Sequence, residues 1–584
     1  MRSFSDLRRW SRRTALRPVL QAALAFALAA CGGGGGDSGT APNPLPALPP
    51  LGAGESAYDD PAGYSSLADA SLPGAIEGAA ITKHSLALGG STIAYTAHAG
   101  HLIARDPASD AAEASLFYVA YTADGRDPAT RPVTFFYNGG PGSASVWLHL
   151  GSFGPKRLAT GVPATTAATP FALVDNAESL LDTTDLVFVD AVGTGLSQAI
   201  SPYSNRRFWG VDADAALFRD AIVRWLAANG RAASPRFLYG ESYGGPRTAV
   251  LARRLQEAGV AIDALVLQSP ALDYNSNCGV IGAGSCAGYL PAYAAVGAWH
   301  GLASPPPADL DAYMTALRGF TDSRYAPALS AFFGGTPPPA ELPPLLAGYT
   351  GITASLWSAQ FNLGPDTFRD NLVGNAVTGR YDGRMVALRG SALASEGDPS
   401  STFISASFAG VMASYLRDTL RYSNASTYVL LGSAINVWDF SHAGRSLPDT
   451  VPDLAAALAQ NPQLRVLAVS GYHDLATPFR TTELDLARLG ADPRIQLRNY
   501  PGGHMSYLDD GTRVRQKADL VAFYRGTLAG LSARSSRTAR EAPLARSAQL
   551  GVDRAGLVPT LAQRATPEPA FQAPLRDPWV PPPR

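Results

Sequence analysis

The feature that most constrains this chain is a series of short apolar runs that mostly stop at glycine-containing turns. They read VTFFYNGGPG from Val133, DLVFVDAVGTG from Asp185, RFLYGESYGG from Arg236, ALVLQSPA from Ala264 and RVLAVSGYHD from Arg465. Runs of this length, separated by segments of helical length, describe strands buried on both faces of a parallel sheet. Upstream, STIAYTAHAGHLIA and ASLFYVAYTADG alternate and carry β-branched and aromatic residues, as antiparallel strands do. Two helices are legible between the runs. ADAALFRDAIVRWLAANG places Ala215, Leu217, Ile222, Val223 and Trp225 on roughly one face and stops at Gly230; GPRTAVLARRLQEAG spaces Val250, Leu251 and Leu255 likewise. The expected fold class is α/β, with functional groups gathered at the carboxyl ends of the strands.

The rhythm bounds the domains. Residues 1–30 read as an export signal: Arg8, Arg9, Arg12 and Arg13 precede an apolar run from Val19 to Ala30, too short for a spanning helix. LAAC ends at Cys31 and resembles a bacterial lipobox, which makes Cys31 a candidate for lipidation; a plain cleaved signal with a chance cysteine is the alternative. SRRTAL also loosely resembles a twin-arginine signal. The expected location is a bacterial periplasm or cell envelope, with a lipid anchor at the membrane. Residues 31–75, rich in Gly, Pro, Ala and Ser, read as a flexible linker. The α/β core is expected over 76–273 and 426–530, a cap insertion over 274–425 where the βα rhythm lapses, and a disordered tail over 531–584. Net charge of −1 removes any whole-chain argument for a nucleic-acid partner. Cys278 and Cys286, eight positions apart and without nearby histidine, are most simply a disulfide in an oxidising compartment.

Chemistry concentrates in three places. In FLYGESYGG, the sequence from Gly240 to Gly244 fits G-x-S-x-G between a strand and a helix, the context in which such a serine is a nucleophile on a sharp turn. Gly240 and Gly244 permit the tight crossing. A serine nucleophile needs a histidine base and an orienting carboxylate, and this fold brings them in the order acid, then histidine. Asp474 ends the strand-like run RVLAVSGYHD, and His504 stands in YPGGHMSY after the strand-like IQLRNY; His473 adjoins Asp474, and the other histidines lie before residue 450 without a comparable frame. The loop FFYNGGPGS offers backbone N–H groups of the kind an oxyanion requires, although NGGPG also suits an ordinary turn.

NGGPGSAS, GTGLS, GESYGG, GYHDLATPF and GGHMSY occur in the order found in serine carboxypeptidases, the S10 peptidases of the α/β-hydrolase fold, and the resemblance spans about residues 80–530. It implies a fold with a central mostly parallel sheet, N-terminal antiparallel strands and an inserted cap. It implies catalytic Ser242, Asp474 and His504, an oxyanion hole from the N–H groups of Gly140 and Tyr243, and capture of the substrate's terminal carboxylate by Asn138, Gly139 and Glu241. Glu241 would have to be protonated to face a carboxylate. No metal or organic cofactor is implied, and the partners are peptides with a free C-terminus. The chain departs from the family at Ser152, where many members carry glutamate, and at Phe136, Ser143 and Leu180. Ser152 weakens the expected carboxylate network, so an esterase or acyltransferase on the same triad stays open beside the carboxypeptidase, as does a non-catalytic binding protein. The sequence leaves the oligomeric state open.

Overall fold

The computed structural model describes residues 48–74, 76–164, 171–281 and 284–541. The export signal, Cys31 and most of the proposed tail lie outside the described residues. Residues 48–50 belong to a separate N-terminal unit and are exposed, without regular structure. From Leu51 onward the chain builds one ten-stranded sheet.

Its principal strands are β1 (Gly78–Leu88), β2 (Ser91–Arg105), β3 (Ala112–Ala123), β4 (Val133–Tyr137), β5 (Asp185–Val189), β6 (Arg236–Glu241), β7 (Ala264–Gln268), β8 (Arg465–Gly471) and β9 (Ile495–Tyr500). In space they run β9-β8-β7-β6-β4-β5-β3-β2-β1, and a two-residue strand at Gln198–Ala199 pairs with β3. β1 through β3 are antiparallel, β3 meets β5 antiparallel, and everything from β5 to β9 is parallel. An antiparallel N-terminal edge on a parallel sheet, with β4 and β5 exchanged in order, is the α/β-hydrolase fold. The first of the expected strand runs is thus the pivot of the crossover.

Both faces of the sheet are covered, which is why the central strands are mostly apolar along their length. Phe136, Tyr239, Val266, Leu467 and Val469 face one core, with Leu148 of α1 (Val146–Gly151), Phe408, Tyr507 and Tyr524. Phe135, Tyr137, Leu238, Leu265 and Val466 face the other, against α2 (Val211–Ala228) and α3 (Gly244–Glu257). Ala215, Leu217, Ile222 and Trp225 are buried on α2 as their spacing predicts, but Val223 turns outward and is 38% exposed.

The insertion is divided differently from its sequence boundary. Helices between Leu290 and Asn371 form their own apolar cluster around Tyr293, Met314, Trp357 and Phe368. Leu475 and Phe479, from the chain just after β8, belong to that same cluster. Residues 399–424, also placed in the cap by sequence, instead pack through Phe403, Phe408, Met412 and Tyr415 onto the core sheet. At the other end, the final helix continues to Glu541, past the boundary at 530 where sequence ends the fold. Among the described residues no helix is long and apolar enough to cross a membrane.

Part of the expected linker is structured. Tyr58–Asp60 forms a short strand parallel to Tyr422–Asn424, and Leu72 is buried against Ile103 and Ile200. The reason is Asp60, 6% exposed, whose Oδ2 accepts from Tyr422 Oη at 2.7 Å and Tyr64 Oη at 2.9 Å and lies 3.2 Å from His101 Nδ1. Burial opposes its ionisation, but the bonds from His101, Tyr422 and the Ala62 N–H outweigh it and hold the carboxyl at about 2. A depressed carboxyl contributes stability above its unfolded pKa and loses it as pH falls through the folded one. Asp60→Ala is therefore expected to lower stability at pH 7 by about 2–3 kcal/mol, read from urea midpoints, with the gap to wild type narrowing between pH 4 and pH 2.

Candidate active site

The site begins where β6 ends. Glu241 is the last strand residue, Tyr243 precedes α3, and Ser242 between them sits at φ 61°, a left-handed conformation for a residue with a side chain. Its backbone is pinned on both sides: the Ser242 N–H donates to Gln268 O at 2.9 Å, and its carbonyl accepts the Gly245 N–H at 2.8 Å. A Cβ on Gly240 would stand 2.2 Å from Gly244 O, so the strand can enter this turn only through glycine. Ser242 is half-buried, with its surroundings sealed and its own side chain reachable.

Asp474 and His504 meet across two loops, β8 to the following helix and β9 to the residues after it. His504 Nδ1 lies 2.7 Å from Asp474 Oδ2, and both residues are at most 1% exposed. The Asp474 carboxylate is held by further donors: the Ala476 N–H at 2.8 Å and Thr477 N–H at 3.1 Å on Oδ1, and Thr477 Oγ1 at 2.8 Å from Oδ2. Such a cage fixes the carboxylate without neutralising it. From the other side, the His504 N–H donates to Tyr381 O at 2.6 Å, and the Tyr381 ring packs edgewise on the imidazole at 5.2 Å. The His504 carbonyl accepts from Ser269 Oγ at 2.7 Å and Gln268 Nε2 at 3.2 Å, tying it to the end of β7. Burial disfavours a charged imidazole, but the charge and hydrogen bond of Asp474, with Glu241 beyond, raise the His504 pKa above its ordinary value. Ser242 Oγ and His504 share no hydrogen bond among the described residues. His473 is a separate group: buried, held far below its usual pKa by burial and by Arg384, and edged against Trp299.

The glycine loop after β4 lies against the elbow. A Cβ on Gly139 would be 2.4 Å from the Tyr243 nitrogen, so the two loops approach as closely as backbones allow. Gly140 has φ 102°, and neither its N–H nor that of Tyr243 donates to another described residue. Two unsatisfied N–H groups on facing loops are the arrangement an oxyanion hole requires.

The loop's position is fixed by Arg247 on α3, which nothing in the sequence singles out. Arg247 is fully buried; its Nε and Nη2 donate to Asp214 at 2.6 and 3.2 Å, and its Nη1 donates to Asn138 O at 2.6 Å. The guanidinium lies over the Phe218 ring at 4.4 Å. Asn138 in turn accepts the Leu148 N–H on Oδ1 at 3.0 Å and donates from Nδ2 to Glu241 Oε1 at 2.8 Å.

Glu241 is 1% exposed, and its second oxygen, Oε2, is buried without a hydrogen bond. The Tyr507 hydroxyl acts on it electrostatically but makes no hydrogen bond of normal geometry, and it is also unpaired. Burial, opposed in part by His504 and Asn138, pushes the Glu241 carboxyl up to about 7. Ser152 stands apart: its hydroxyl donates to Leu148 O at 2.6 Å, at the end of the helix Val146–Gly151, and touches neither Asn138 nor Glu241. The structure places the sequence-predicted Ser242, Tyr243, Asn138, Gly139, Gly140 and Glu241 in one cluster, and Asp474 with His504 in another that the Gln268–Ser269 segment joins to it. Sequence reading missed Thr477, Tyr381, Tyr507, Gln268 and Arg247. Thr477 and Tyr507 each lie three residues beyond a residue that sequence did single out, and that spacing was the available signal. Cys278 and Cys286 are disulfide-bonded at the edge of the cap cluster, S–S 2.14 Å. Among the described residues no group of three or more His, Cys, Asp or Glu side chains is gathered as metal ligands are.

The serine carboxypeptidase (peptidase S10) family model matches residues 90–271, a span holding the glycine loop, the elbow and β7. Over that span the chain is similar to the serine carboxypeptidases. It is a serine hydrolase of the α/β-hydrolase fold. No curated protein matches it by sequence. Solved structures similar to it include a proline iminopeptidase from Mycobacterium smegmatis, at 14% identity and TM-score 0.32, covering 77% of this chain and 100% of that one. A thermostable carboxyl esterase from Bacillus coagulans matches at 12% identity and TM-score 0.31, covering 77% and 99%. A peroxisomal α/β-hydrolase from Saccharomyces cerevisiae matches at 11% identity and TM-score 0.29, covering 80% and 99%. Likeness at this level adds nothing to what the strand order establishes.

Two substitutions separate the forces in this site. Arg247→Met leaves Asp214 buried and unpaired and frees the Asn138 carbonyl; it is expected to lower stability by about 3–5 kcal/mol in chemical denaturation. Glu241→Gln has the opposite sign at high pH. A carboxyl whose folded pKa is raised contributes stability below its unfolded value and loses it as pH rises through about 7. Glu241→Gln should therefore exceed wild type by on the order of 2 kcal/mol at pH 8, with the difference vanishing near pH 4.

Proposed function

We propose that this chain is a serine carboxypeptidase that removes C-terminal residues from peptides through an acyl-enzyme. The observation that carries the reading is Glu241: a buried carboxyl adjacent in sequence to Ser242, bonded to Asn138, raised to about 7, with one oxygen unpaired. A protonated carboxyl can donate to a carboxylate, and the free oxygen of Glu241 is suited to share one proton with a substrate's terminus. Asn138 and the N–H of Gly139 complete the proposed cradle. An ester or amide substrate lacking that terminus would leave Glu241 unused.

In the proposed cycle His504, oriented by Asp474, takes the proton of Ser242 Oγ as the oxygen attacks the scissile carbonyl. The hydrogen bond between them forms as the acyl group arrives and closes the site. The N–H groups of Gly140 and Tyr243 receive the developing oxyanion. The protonated His504 then gives its proton to the leaving amine, and a water activated by the same ring clears the acyl-enzyme. The N-terminal segment is proposed to export the protein and anchor it through Cys31 at the cell envelope.

A fluorophosphonate probe should label Ser242 in the folded protein, and Ser242→Ala should abolish labelling; absence of an adduct on wild type would sink the catalytic reading. A blocked dipeptide with a free carboxylate, its C-terminal amide and a simple ester then separate the activities. Hydrolysis of the acid should fall as pH rises through about 7, where Glu241 ionises, whereas ester hydrolysis should rise as His504 loses its proton. Glu241→Gln should flatten the alkaline decline on the acid alone. Cleavage of the ester with no cleavage of the acid at any pH would replace carboxypeptidase with esterase.

A further inference from the structure

One cation near the site makes no ion pair among the described residues. Arg380 belongs to the segment 379–383 that clamps the catalytic loops. Its carbonyl accepts the Leu475 N–H at 2.9 Å, one residue past Asp474, and the next carbonyl, Tyr381 O, accepts from His504. Its backbone N–H is itself fixed at 3.0 Å by Asp398 Oδ1. The guanidinium, by contrast, makes no hydrogen bond and no ion pair among the described residues. Its Nε is sealed from solvent without a partner, whereas the Nη atoms are not sealed and so reach open space. The Tyr381 hydroxyl beside it is likewise unsealed and without a partner.

The charges around Arg380 explain why it stays unpaired. Asp366 and Asp398 are the carboxylates that act on it, and both are engaged by Arg369, at 3.1 and 3.9 Å. The other groups that feel it are neutral phenols and the catalytic ring: Tyr274, Tyr289, Tyr381 and His504. A guanidinium largely withdrawn from water and left unpaired is costly unless something anionic visits it. Asn138 and Glu241, the proposed cradle for the terminal carboxylate, belong to the glycine loop and the elbow, whereas Arg380 is bonded to the turn after Asp474. The visitor is thus a second anionic group on the same substrate.

We propose that Arg380, with the Tyr381 hydroxyl, forms a subsite for the ionised side chain of an aspartate or glutamate flanking the scissile bond. The inference rests on the proposed function, because it takes the terminal carboxylate as bound elsewhere. Arginine presents paired N–H donors that match a carboxylate, and a charge-assisted bond of this kind separates glutamate from isosteric glutamine.

The test is a set of matched substrates at pH 6 and low salt. One arm compares blocked Glu-Leu with Gln-Leu, a second compares blocked Leu-Glu with Leu-Gln, and a third compares the nitrophenyl esters of blocked glutamate and glutamine. Wild type should prefer the acidic member by about tenfold in kcat/KM in one dipeptide arm, which identifies the residue bound, and the preference should shrink with added salt. Arg380→Met should bring that ratio to near one, and Arg380→Lys should retain part of it. A wild-type ratio near one in every arm, or an unchanged ratio in Arg380→Met, overturns the proposal. Should Arg380→Met not fold, the wild-type ratios and their salt dependence decide alone. Should no dipeptide be cleaved while esters are, the carboxypeptidase reading fails and the ester arm still reads Arg380.

Discussion

The buried bond from Arg247 to Asp214 and Asn138 is the constraint on which the site depends. It joins α3, which the elbow launches, to α2 and to the first residue of the glycine loop. The two helices also pack on the sheet through apolar side chains, but it is this bond that ties both of them to the glycine loop. Such a pair is not retained for net stability, since well-packed apolar groups could do as well. What it supplies is position: the Asn138 carbonyl has one place to be, and the N–H groups of Gly139 and Gly140 follow from it.

Glu241 shows the same preference for position over comfort. A carboxyl with one unpaired oxygen in a sealed site lowers the stability of the chain at neutral pH, and Ser242 beside it adds a strained backbone. Both costs fall on consecutive residues of one turn. The parallel sheet absorbs them, because β6 is paired on both sides, with β4 from Arg236 to Gly240 and with β7 from Phe237 to Glu241.

The sheet and the cluster around Ser242 were legible because they depend on local pattern. Apolar runs buried on both faces must be continuous, and glycine is required wherever a Cβ would collide, as at Gly240 and Gly139. What stayed hidden depends on partners distant in the chain. Arg247 reads as one more helical arginine until Asp214, 33 residues away, is seen beside it. Tyr58–Asp60 reads as linker because its strand partner is Tyr422–Asn424, and Ser152 reads as a gap in a carboxylate network although its hydroxyl is spent on the helix before it. The division of the insertion was illegible for the same reason: residues 399–424 and the helices before them share a composition and differ only in which core they face.

The cap cluster includes Leu475 and Phe479, residues on either side of the Asp474 cage formed with Ala476 and Thr477. The cap cluster and the proposed orienting acid therefore share a foundation. On the proposed function, remodelling the cap for a new side chain is not an operation on a detachable lid, because its packing reaches the loop that holds Asp474 against His504. On that proposal specificity and rate are mechanically linked, and variants that gain a substrate by loosening the cap should be expected to surrender some alignment of His504.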